Sequence, residues 1–154
     1  MRPVAFVVGR SLRRALQVNA GVGRAQGHGE LMPLQRISTQ AKRTFEQHYL
    51  EYPNTPGNPQ ILQLLPTLRE ICEPFEVWGL TSHYTLWLLA ADDWQTPWLV
   101  SVCYDVDQYE VNYLMPERTA PFPMAFVRGF RKSVPETAEL IRVAIKQCGA
   151  WSTT

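Results

Sequence analysis

Residues 75–116 constrain this chain more than any other part of it. They read FEVWGLTSHYTLWLLAADDWQTPWLVSVCYDVDQYEVNYLMP, a series of alternating apolar segments divided by short polar turns. The stretch holds four of the five tryptophans and four of the six tyrosines. Aromatic and β-branched residues at a period of two fit a pleated, half-buried surface. Four strands are expected: Phe75 to Leu80, Tyr84 to Ala90, Trp98 to Tyr104 and Tyr109 to Leu114. Links as short as DVDQ can join only antiparallel neighbours, so the four form a meander. Tyr84 to Ala90 is apolar on both sides and belongs in the middle of the sheet. Trp98, Val100, Val102 and Tyr104 alternate onto one face.

The flanks carry helical spacing. Ala41, Phe45, His48, Tyr49 and Tyr52 gather on one stripe of a helix that Ser38 or Thr39 can cap. His48 sits on that stripe, where a packed imidazole is the ordinary reading. Asn58-Pro59 then forms an N-cap and first-turn pair for a second helix. Its buried face is Ile61, Leu64, Leu65, Leu68, Ile71 and Cys72, with a kink or break expected at Pro66. The strongest local signal lies near the C-terminus. Ser133 to Glu136 has the spacing of a capping box, Pro135 falls in the first turn, and Gly149 is the stop. Before it, PERTAPFP is an irregular crossing, and Met124 to Phe130 reads either as a short strand or as a packed loop.

The fold class that follows is α+β: a four-stranded antiparallel meander covered on one face by N-terminal and C-terminal helices, in one domain over residues 32–154. A hydrophobic fraction of 45% with 19% charged residues supplies a core for a single domain of this length. No apolar run approaches the ~20 residues that span a bilayer.

Charge divides the chain in two. Residues 1–44 hold eight Arg or Lys against Glu30 alone, a net +7, and the remainder holds seven basic against thirteen acidic residues, a net −6. Residues 1–31 read as a basic, loose extension, because domain-like patterning starts only after Met32. A mitochondrial-type presequence is the alternative, since the segment is Arg-rich and nearly free of acids, but Ser11 is its only serine. A secretory signal fits poorly, with Arg10, Arg13 and Arg14 directly after a short apolar run. The expected compartment is the cytoplasm, or the mitochondrial matrix on the presequence reading. A nucleic-acid role is disfavoured because the glycine-rich part interleaves no aromatic to stack on bases.

Chemistry is thinly marked. Cys72, Cys103 and Cys148 match no disulfide or zinc spacing and fall at apolar positions of expected elements. His83 and Cys103 lie on segments that could be neighbours, with Asp105 or Asp107 able to orient the histidine, so they are the weak catalytic candidates. Against them, Cys103 lies within a strand and no glycine-rich turn surrounds it. Asp92 with Asp93, and Asp105 with Asp107, could hold a cation, yet Asp is a common turn residue and DVD lacks the glycine and distal Glu of a calcium loop. No metal or cofactor is expected. Trp94 stands beside Asp92 and Asp93 in a polar loop, where an aromatic ringed by acids suits a basic protein partner. The expected function is a small non-enzymatic protein-binding module that uses Trp94, Asp92, Asp93, Asp105 and Asp107. The alternative is a small-molecule site or Cys/His enzyme with a pocket between sheet and helices near His83, Cys103 and Tyr104. Oligomeric state is not fixed by the sequence.

Overall fold

The computed structural model describes residues 33–151, so the basic extension over residues 1–31 lies outside the described residues. In chain order the elements are β1 (Gln35–Arg36), a 3-10 turn (Ser38–Gln40), α1 (Phe45–Glu51), α2 (Asn58–Cys72), β2 (Trp78–Ser82), β3 (Thr85–Leu89), β4 (Val100–Asp105), β5 (Gln108–Leu114), β6 (Phe126–Arg131) and α3 (Val134–Cys148). The class is α+β, and the central four strands form the expected antiparallel meander.

The sheet is wider than the sequence indicated. Among the described residues it has six strands in the order β1-β2-β3-β4-β5-β6. β1 pairs parallel to β2, and β6 pairs antiparallel to β5, so the sheet is mixed and the expectation of four strands is corrected at both edges. Neither edge strand shows a clean period of two. β1 has only two residues. β6 reads Phe-Val-Arg-Gly-Phe-Arg, in which Val127 and Gly129 face the helices while Phe126, Arg128 and Phe130 face away. Gly129 packs closely on α3, since a Cβ there would meet the Leu140 side chain at 2.8 Å and require it to shift.

The first helix starts later than the stripe implied. Thr44 caps α1 in a full capping box with Gln47, at 3.1 Å and 2.9 Å. The upstream residues are drawn into another task. Arg36 donates to the Arg43 carbonyl at 2.8 Å and to Thr81 Oγ1 at 2.7 Å, and Gln40 exchanges bonds with the Thr81 backbone. This ties the 3-10 turn to β2 instead of extending the helix. α2 runs through Pro66 as one 15-residue element. Pro66 is exposed, so the Leu62 carbonyl it deprives lies toward solvent, where water can take the lost bond. α3 follows its sequence signals closely. Ser133 Oγ accepts from the Glu136 N–H at 3.3 Å, and Gly149 ends the helix with φ 75°.

The core lies between α2 and α3 and one face of the sheet. Leu64, Leu65 and Leu68 of α2 and Ile141 and Ala144 of α3 are buried against Leu86, Leu88, Val100 and Val102. Burying an aliphatic side chain contributes ~1.5–3 kcal/mol, so this contact layer dominates stability. Tyr109 also points into it, and its hydroxyl donates to the Gln60 carbonyl at 2.9 Å. Among the described residues, no helix is long and apolar enough to cross a membrane.

Candidate functional site

Alternation along the strands decides which side chains escape the helices. Val100, Val102 and Tyr104 pair with Tyr113, Val111 and Tyr109 on the covered face. Ser101 and Cys103 therefore stand on the opposite face, paired with Asn112 and Glu110. From β3 this second face receives Trp87, and from β2 it receives Trp78 and Leu80. From β6 it receives Phe126, Arg128 and Phe130. Among the described residues, no helix lies over it.

Trp98 joins this open face, against the expectation that it would share the covered face with Val100. β4 begins at Val100, and residues before it do not obey the alternation. The Trp98 ring packs edge-on against Trp87 at 5.2 Å and against Phe126 at 5.9 Å. An aromatic row thus crosses the face from β3 to β6, each ring half-buried. Edge-to-face pairs of this kind add ~0.5–1.5 kcal/mol beyond their burial and hold the rings in defined positions.

Beside the row lies a polar cluster. Asn112 Nδ2 donates to Ser101 Oγ at 3.1 Å and to Glu110 Oε1 at 2.9 Å, and its Oδ1 accepts from Arg128 Nε at 2.9 Å. Arg128 Nε also stands 3.2 Å from Glu110 Oε1. The guanidinium lies over the Phe126 ring at 5.3 Å, with a third (33%) of the side chain exposed. Ser101 and Asn112 are 2% and 7% exposed, so the bond between them forms where water cannot compete and an unpaired group is costly, while the bonds to Glu110 and Arg128 are part-buried. The arrangement fixes Arg128, a partly exposed cation braced by a buried amide and paired with Glu110. A spacing of two residues between Glu110 and Asn112 was the only trace of it in the sequence.

The residues singled out by sequence are placed as follows. Asp92 Oδ1 accepts from the Ser38 N–H at 2.7 Å, which caps the 3-10 turn, and Asp93 Oδ1 accepts from the Gln95 N–H at 2.9 Å. Both carboxylates thus serve the backbone. Trp94 is 42% exposed beside them. Asp105 and Asp107 belong to the β4–β5 hairpin, whose two central residues, Val106 and Asp107, have φ 45° and 66°. β4 separates the two acidic loops. The five steps of ~3.3 Å from Val100 to Asp105 put them ~17 Å apart, at opposite ends of that strand. They do not form one surface.

His83 sits in the exposed β2–β3 turn, with Nδ1 3.1 Å from Ser82 Oγ. Cys103 and Tyr104 are successive strand residues and point to opposite faces, so they cannot line one pocket. Burial, reinforced by the carboxylates of Glu110 and Asp105, pushes the Cys103 thiol up to about 11. That is the wrong direction for a nucleophile, which needs a depressed value. Among the described residues, no group of three or more His, Cys, Asp or Glu could hold a metal ion.

One concave feature lies on the helical side. A groove of about 640 Å³ runs between α2 and α3, floored by Ile71, Phe75, Ile145 and Trp151. Its rim carries Glu70 as well as Arg142 and Lys146, so both signs of charge meet there.

Compared with known proteins, the chain matches no family model, no curated protein sequence and no solved structure. The reading of its function therefore rests on the geometry of the open face and the groove.

Proposed function

We propose that this protein is a non-enzymatic protein-binding module whose contact surface is the open face of the sheet. The observation that carries the reading is the Trp87–Trp98–Phe126 row, half-buried on a face that no helix covers among the described residues, beside an Arg128 held by a part-buried bond to Asn112. Exposed apolar patches with a polar edge are where soluble proteins meet partners. Tryptophan and arginine are enriched among the residues that dominate binding energy. The rings and the guanidinium are already positioned, so little conformational freedom is lost on association.

The test compares baits in affinity capture from the native cell. Phe130→Glu places a charge at an exposed site on the open face without touching the core. Asp93→Ala and Asp107→Ala remove the acidic loops. A partner held by the wild type and both Asp variants but lost by Phe130→Glu supports the open face. Loss with the Asp variants and retention with Phe130→Glu would move the site back to the acidic turns.

A further inference from the structure

The two edges of the sheet differ, and the β6 edge continues the open face. The hydrogen-bond phase of the β5–β6 ladder can be read from its start. Met115 N–H donates to the Ala125 carbonyl at 2.9 Å, so this is a bonded pair. Bonded and non-bonded pairs alternate in an antiparallel ladder. The register Tyr113↔Val127, Val111↔Gly129 and Tyr109↔Arg131 is therefore the bonded set. Phe126, Arg128 and Phe130 belong to the other set, and their backbone N–H and C=O groups point away from β5. Among the described residues, the one bond these outward groups receive is from Arg131 Nη1 to the Phe130 carbonyl, at 2.6 Å.

The same three residues carry their side chains on the open face. A strand added at this edge would satisfy their backbone groups and lay its alternate side chains beside Phe126, Arg128 and Phe130. The edge is basic. Arg128, Arg131 and Lys132 lie within five residues that contain no acid. A second copy of β6 would bring like charges face to face, which disfavours pairing between copies.

We infer that the β6 edge takes an extended partner segment by strand addition, and that the segment has an apolar–x–acidic–x–apolar pattern. The central carboxylate meets the partly exposed guanidinium of Arg128, and the flanking apolar side chains pack on Phe126 and Phe130. Main-chain bonds supply affinity in such additions, and alternate side chains supply selectivity. The inference rests on the protein-binding reading and specifies its mode.

The probe is a capped seven-residue peptide, Thr-Val-Thr-Glu-Thr-Val-Thr, titrated into the full chain with amide hydrogen exchange read by NMR. Exchange at the Phe126, Arg128 and Phe130 amides is expected to slow at least tenfold at saturation. Lys in place of Glu should weaken binding about tenfold. Phe130→Pro removes one outward donor at an exposed position and should abolish protection, with an unchanged circular dichroism spectrum confirming the fold. The inference is overturned by no peptide binding, by equal binding of the Lys peptide, or by concentration-dependent pairing of the chain with itself through β6. Shifts at Trp87 and Trp98 without edge protection would also overturn it, while leaving the open face intact as a binding surface. The capture experiment above tests that broader reading separately.

Discussion

Asn112 is the residue whose removal should most clearly expose how the open face is built. Asn112→Ala deletes three hydrogen bonds, to Ser101 at 3.1 Å, Glu110 at 2.9 Å and Arg128 at 2.9 Å. A neutral bond contributes ~0.5–1.5 kcal/mol net and a bond to a charged group ~1.5–3 kcal/mol. Glu110 and Arg128 recover part of their share, because they still face each other at 3.2 Å and both reach solvent. Ser101 Oγ does not, since it loses its partner while 2% exposed. The expected cost is ~2–3 kcal/mol. Ser101→Ala alone should cost ~1 kcal/mol. The double variant should then cost less than the two single changes together, by ~1 kcal/mol, because it no longer leaves a buried hydroxyl unpaired. Equilibrium urea unfolding reads this directly. With a slope of ~1–3 kcal/mol/M, Asn112→Ala should lower the midpoint by ~1–2 M at unchanged slope. A cost below ~0.5 kcal/mol, or strict additivity in the double variant, would refute the claim that this cluster is a coupled buried network.

Two further outcomes follow from the covered side of the sheet. Tyr49 is buried with its hydroxyl unpartnered among the described residues, and burial raises its ionisation well above the ordinary tyrosine range. Tyr49→Phe should therefore be neutral or stabilising by up to ~1 kcal/mol, and a thermal melt showing a loss above ~1 kcal/mol would contradict that account. Burial pushes the Cys72 thiol up to about 12. A folded value raised above the unfolded one means stability is fully present below the unfolded pKa and is lost as pH rises toward the folded value. Unfolding free energy should fall from about pH 9 by at most ~1.4 kcal/mol per pH unit from this group, and a Cys72→Ala variant should lose that slope.

The sequence made some of this visible and hid the rest for identifiable reasons. α3 was legible almost to the residue, because Ser133, Pro135 and Gly149 act locally on the backbone and no distant contact competes with them. The hairpin at Val106 and Asp107 was legible because two alternating runs are separated by a short polar turn. The start of α1 was not, because Arg36 and Gln40 engage Thr81, more than forty residues away, and no local pattern encodes that. The acidic loops illustrate the same difficulty from the functional side. Asp92 looked like a free surface charge until its partner, the Ser38 N–H across the fold, was visible. Trp98 was assigned to the wrong face since alternation holds only inside a strand, and the strand starts two residues later. That one face stays clear of helices was expected, but what gathers there was not, because Trp87, Ser101, Asn112 and Arg128 come from four strands and become neighbours only through register.

β1 has a consequence for valency. It is two residues long, held by bonds from Gln35 to the Val77 carbonyl at 2.9 Å and from Ile37 to the Gly79 carbonyl at 3.1 Å. So short a strand offers almost no template on its outer side. Among the described residues, β6 is therefore the longer of the two edges, and the proposed strand addition there would give complexes of one partner per chain, with no second long edge among those residues to support the head-to-tail stacking that turns two-edged sheets into fibres.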